Sequence, residues 1–190
     1  MKPKAPKAKS KKKAPAVRAG ELLYHAAHGL CRVMEVERTS DRGTNLVLTP
    51  KVPGKMGIRF VVPADGLEAT GFHPLVSPAE AKRVLEYFRD GKPEEAFPAP
   101  GESSPGFAAE NQTWALARTL LACCHDKVRD TKDKRLREAI DRSVRALVGE
   151  LAYVLKLTPE QMVGRMRETL GSSTRKNVLL TTSLNAILED

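Results

Sequence analysis

His25, His28 and Cys31 stand at H-x2-H-x2-C spacing, and imidazole nitrogens with a thiolate are donors that a zinc ion takes. A closed structural site needs four donors, so His73 or Cys123 would have to complete the set. On a turn running into a strand this spacing aims the donors in different directions, because successive side chains alternate across a strand. His28-Gly29 is better read as the turn itself, with glycine adopting a backbone conformation that other residues resist. No metal and no other cofactor is expected. The phosphate-cradling G-x-x-x-x-G-K-[ST], the dinucleotide G-x-G-x-x-G, H-E-x-x-H and a nucleophile elbow are all absent. No enzymatic activity is expected either.

The chemistry that remains is that of binding. In Ile58-Arg59-Phe60-Val61-Val62-Pro63, alternation places Arg59, Val61 and Pro63 on one face of a strand and Ile58, Phe60 and Val62 on the other. One face should be core and the other contact, and Pro63 would end the pairing because it has no N–H. On the longest helical stretch Arg135, Arg137, Arg142 and Arg145 mix with Glu138 and Asp141. Such a mixed surface is ordinarily solvated. If it meets DNA, Arg135, Arg142 and Arg145 are expected to touch phosphates, since nothing here resembles a recognition helix.

The charge is concentrated at one end. Residues 1–18 carry eight Lys and Arg and no acid, so of the net +9 only +1 belongs to residues 19–190. Lysines alternating with Pro and Ala, without an apolar run, cannot offset the entropy of ordering, and a disordered arm is expected. Stretched, it would reach about 60 Å, and Lys11, Lys12 and Lys13 suit a polyanion with salt-dependent affinity. The alternative is a solubilising tail. No apolar segment follows the charges as in a secretory signal, and no run of about 18 apolar residues offers a membrane span. Three cysteines, two of them adjacent, make a poor disulfide framework; reduced thiols, a cytoplasmic and nucleoid-associated location and no membrane partner are expected.

These residues must be held by two small modules in an α+β chain. Extended runs near 21–25, 30–38, 45–49 and 57–63, separated by turn signals at Asp41-Arg42-Gly43 and Pro53-Gly54, predict a small β-barrel over 19–75. Its core is expected from Leu23, Leu30, Val33, Val36, Leu46, Leu48, Ile58, Phe60 and Val62. Ser77-Pro78-Ala79-Glu80 opens a helix, making 76–92 a connecting element with Ala81, Val84, Leu85 and Phe88 buried. Four prolines, Pro93, Pro98, Pro100 and Pro105, fall in the linker expected over 93–110; the domain boundary lies there or just before the capped helix. Residues 111–171 predict a compact three-helix unit, with a second capping box at Thr158-Pro159-Glu160-Gln161 and a stop at Gly171. Residues 172–190 form a short helix or a tail.

His25, His28, Gly29, Leu30, Arg32 and Val33, followed by the Ile58–Pro63 strand, resemble the CarD/CdnL family of bacterial RNA polymerase-binding transcription regulators. The barrel is also similar to the polymerase-interacting domain of transcription-repair coupling factors. The resemblance covers about residues 20–90 and 130–170 and implies a Tudor-like barrel that docks Arg32, Arg59, Val61 and Pro63 on the polymerase β subunit by strand pairing. It further implies that a helical-domain tryptophan wedges into promoter DNA. The only tryptophan is Trp114, in Thr113-Trp114-Ala115-Leu116-Ala117-Arg118; the family's arginine pair does not follow it, and its alternative role is core. The expected function is control of open-complex stability at promoter DNA. Two alternatives stand beside it: a paralogue that binds polymerase and another regulatory protein without contacting DNA, and an architectural DNA-binding protein that uses the Lys-rich arm.

Overall fold

The computed structural model describes residues 17–38, 43–51, 57–90, 112–125, 134–176 and 178–189. The Lys-rich arm with Lys11, Lys12 and Lys13, the turn residues Asp41, Arg42, Pro53 and Gly54, and the 93–110 linker lie outside the described residues. The fold is α+β. Strands β1 (Leu22–His25), β2 (Gly29–Arg38), β3 (Thr44–Pro50), β4 (Phe60–Pro63) and β5 (Phe72–Pro74) precede helices α1 (Pro78–Asp90), α2 (Gln112–His125), α3 (Lys134–Leu155), α4 (Pro159–Lys176) and α5 (Val178–Glu189).

The strands form one antiparallel sheet in the order β4-β3-β2-β1-β5. A fifth strand, Phe72–Pro74, completes it by pairing with β1, and the small barrel expected here is a curled half-barrel. Among the described residues β4 pairs with β3 and β5 with β1, and the two do not pair with each other. Side chains meet across the gap instead. Phe60 of β4 lies 5.6 Å from Phe72 of β5, and the His28 ring stands 4.4 Å from Phe60. The curl encloses Leu23, Cys31, Val33, Leu46, Leu48, Val62, Leu67 and Phe72, with Phe60 packed alongside. Leu30, Val36 and Ile58 do not join this core: Leu30 is half-buried opposite Tyr24, on the other face of the sheet from Cys31 and Val33, and Val36 and Ile58 are 41% and 43% exposed. Val36 lies beyond the β-bulge between Val33 and Glu35, and Ile58 precedes the first residue of β4.

The helices share a second core, and it is larger than a three-helix unit. Ala81, Val84, Leu85 and Phe88 of α1 are buried with Leu120 and Leu121 of α2, Val144, Leu147 and Leu151 of α3, Met162 and Met166 of α4, and Leu180 and Leu184 of α5. The helix expected as a connector is thus part of the helical body, and the segment 178–189 is a helix packed into it. Both capping boxes close as their residue types require: Ser77 N–H donates to Glu80 and Glu80 N–H to Ser77 Oγ, while Thr158 and Gln161 exchange the same pair of bonds. The hydrogen bond from Thr158, then Glu160's own backbone, holds the exposed Glu160 carboxyl below its usual range. Helix α3 ends in a Schellman motif, with Leu157 N–H bonding Ala152 O at 2.9 Å and Lys156 N–H bonding Tyr153 O at 3.3 Å. This puts Lys156, rather than a glycine, at φ 56°. Gly171, at φ 52° and ψ −129°, breaks the helical run of α4 as its position predicts.

Candidate functional site

Strand β4 is an edge: among the described residues β3 alone pairs with it. The register matches Phe60 with Leu48, Val61 with Val47, Val62 with Leu46 and Pro63 with Asn45, and Ala64 N–H continues it with a 2.8 Å bond to Thr44 O. In an antiparallel pair, hydrogen-bonded and non-bonded residue pairs alternate. Ala64, Val62 and Phe60 therefore turn their backbone groups toward β3. Val61 and Pro63 turn theirs toward the open side, where Val61 offers an N–H and a C=O and Pro63 only a C=O; Arg59 directly precedes the strand. The same three residues carry exposed side chains, with Val61 at 61%. Val62 and Phe60 face the core of the curl.

Arg32 is exposed on β2, opposite Thr49, on the sheet face that carries Val47 and Val61. Exposed Met34 stands at the bulge beside that face. The outer surface next to the free edge thus presents apolar Val61 and Met34 among the charges of Arg32, Glu35 and Arg59. An extended peptide laid on β4 would gain main-chain hydrogen bonds from the edge and side-chain contacts from this surface.

The other end of the same face is covered. Tyr24 of β1 and His73 of β5 are cross-strand partners, and both are buried against α3. Tyr24 reaches Gly149, where an added Cβ would stand 2.6 Å from the phenol oxygen. Burial, and secondarily the Glu150 carboxylate, push the Tyr24 phenol well above its ordinary range and keep it neutral. Lys51, just past β3, lies 5.4 Å from the centre of the Tyr153 ring. Glu150, 0% exposed, accepts from Thr113 Oγ1 at 2.8 Å and from Val76 N–H at 3.2 Å, and contacts His73 Nε2 at 3.2 Å. Gln112 Oε1 sits 2.9 Å from His73 Nδ1. None of Tyr24, Gln112, Thr113 or Glu150 stood out in the sequence as a functional residue. The one available signal was an acid inside the apolar run Ala146-Leu147-Val148-Gly149-Glu150-Leu151-Ala152.

The H-x2-H-x2-C triplet is dispersed. Cys31 is fully buried in the sheet core, whereas His25 and His28 stack on one another at 4.5 Å and His73 belongs to the Glu150 network. Among the described residues no three His, Cys, Asp or Glu side chains gather in a way that could hold a metal ion. His25 Nδ1 accepts from Ala27 N–H at 3.0 Å across the turn. Desolvation first, then the neighbouring His28, hold the His25 imidazole below its ordinary range.

The candidate DNA contacts are spread over the helical body. Trp114 is half-buried against the helical core, edge-on to Tyr87 at 5.9 Å. Arg135 and Arg142 are exposed on α3, and Arg142 Nε donates to Glu138 O. Arg145 is partly buried and bonds Asp141 at 3.0 Å. Among the described residues no helix is long and apolar enough to cross a membrane. No protein-family model matches the chain, and no curated protein matches it significantly.

Proposed function

We propose that this chain is a non-enzymatic bacterial transcription regulator of the CarD/CdnL kind. In this reading the curled sheet is a Tudor-like module that adds its β4 edge to a strand of the RNA polymerase β subunit. The observation that carries it is the coincidence at Arg59, Val61 and Pro63: all three side chains named by the resemblance are exposed, and Val61 and Pro63 turn their backbone groups to the open side of an edge strand. Arg32 flanks the docked strand. The helical body then lies near promoter DNA, with Arg135, Arg142 and the lysines of the arm touching phosphates and no base being read. Preference for the open over the closed promoter by 1–3 kcal/mol would shift that equilibrium by about 5- to 150-fold. The half-burial of Trp114 favours a second reading of the helical body, in which it meets another regulatory protein instead of inserting a wedge into DNA.

The test is capture of a polymerase β-subunit fragment by the full chain and by its Val61→Pro, Val61→Glu and Arg59→Glu variants. Proline at position 61 removes an N–H that β3 does not use, so the fold should survive, as far-ultraviolet circular dichroism would check. Binding should fall at least tenfold in Val61→Pro. Wild-type binding that persists undiminished in a folded Val61→Pro variant would refute strand addition at β4. Absence of wild-type binding would refute the polymerase role.

A further inference from the structure

The chain crosses from sheet to helices in residues 75–77, between Pro74 at the end of β5 and Pro78 at the start of α1. Three residues of extended chain would ordinarily act as a hinge, since a few terminal backbone dihedrals are enough to swing one body against another. Here the last strand and the middle of the crossing are bound to one side chain on α3. Glu150 Oε2 meets His73 on the sheet side, and Glu150 Oε1 accepts the N–H of Val76 within the crossing itself. Thr113, on the first turn of α2, gives the same carboxylate a third partner, and places it at a helix N-terminus, where negative charge is favoured. The partners lie 77, 74 and 37 residues away in sequence.

We infer that Glu150 is a positioning residue: its carboxylate locks the sheet to the helical body and thereby sets the angle between the β4 edge and the helices. A carboxylate buried without partners is strongly unfavourable, and a buried polar cluster is often no more stabilising than an apolar one of the same shape. What the cluster supplies is a single arrangement, because its hydrogen bonds form in one geometry only. Apolar contacts between Tyr24 and α3 would tolerate sliding; three directed bonds to one carboxylate do not. The locking itself stands independently of the polymerase reading, and only its consequence, that a docked β4 edge delivers the helical body to a defined place, rests on it.

Nitrogen-15 relaxation of the full chain tests the lock directly. The amides of 22–74 and of 78–89, 113–125 and 134–189 should report one rotational correlation time in the wild type. In Glu150→Ala both groups should remain folded, while the sheet amides shift to a shorter correlation time than the helical ones. Glu150→Gln should restore the single value. Its carbonyl can accept from Val76, and its amide can donate to His73 Nε2 once that ring carries its proton on Nδ1, toward Gln112. One shared correlation time in folded Glu150→Ala, even with a lowered melting temperature, would overturn the inference, as would two values in the wild type or in Glu150→Gln. Should Glu150→Ala lose the fold, Thr113→Val, which deletes only one donor from an isosteric side chain, carries the test with the same readings.

Discussion

Gly149→Ala sets two local effects against each other. On a helix, alanine is favoured over glycine by about 1 kcal/mol, so the substitution should strengthen α3. The new Cβ, however, would lie 2.6 Å from the Tyr24 phenol oxygen. That ring has little room to retreat: it is buried and packed edge-on against His73 at 5.9 Å and 62°. Overpacking of a filled interface costs about 1–3 kcal/mol, so the net expectation is a loss of about 0–2 kcal/mol. In a Tyr24→Phe background the oxygen is gone, and the next atom, Cζ, stands at 3.7 Å from the same Cβ, an ordinary contact. There Gly149→Ala should stabilise by about 1 kcal/mol, which in a chain of this size raises the melting temperature by roughly 2–4 °C. Urea denaturation of the four proteins completes a double-mutant cycle, with an expected coupling of about 1–3 kcal/mol. Equal stabilisation in both backgrounds would refute the reasoning, because the phenol would then not press on α3 at all.

Lys156→Gly should stabilise the chain by about 1 kcal/mol in chemical denaturation, since a β-carbon is unfavourable at a left-handed position and the exposed lysine side chain has little packing to lose; a destabilised variant would show that the lysine side chain contributes more than the strained backbone costs. His25 has a folded-state pKa below its unfolded value, so the native state binds fewer protons there. Its contribution to stability is complete above the unfolded pKa near 6.5 and is lost as pH falls through the folded value. Protonation would also set Nδ1–H against the Ala27 N–H, so melting temperatures taken from pH 7.5 to 5 should fall more steeply for wild type than for His25→Asn, and parallel curves would remove His25 as the cause.

Local chemistry was legible in the sequence wherever a few neighbouring residues decide the outcome. Ser77 with Glu80 and Thr158 with Gln161 cap their helices as written, because a capping box is satisfied within four residues. Gly171 breaks its helix, and Ala81, Val84, Leu85 and Phe88 of α1 are buried as their spacing requires. The alternation from Arg59 to Pro63 also held, but the sequence did not reveal which edge of the sheet stayed open. That depended on β4 and β5 not pairing with each other. Leu30, Val36 and Ile58 fall outside the sheet core for a related reason: periodicity marks apolar residues, whereas which face is covered, and how far, is settled by how the sheet curls and pairs.

By itself, then, the sequence determined four of the five strands, the capping boxes at Ser77 and Thr158, the concentration of charge in residues 1–18 and the exposed face of the Arg59–Pro63 run. Each of these follows from backbone periodicity or from interactions a few residues apart. The tertiary structure alone decided that α1 joins the helical core, that Tyr24 and His73 are covered by α3, and that Glu150 gathers His73, Val76 and Thr113. Hydrogen bonds across 37 to 77 residues leave no periodic trace, because a lone glutamate in an apolar stripe is written identically whether it finds donors or water; only the packing of sheet on helix supplies those donors.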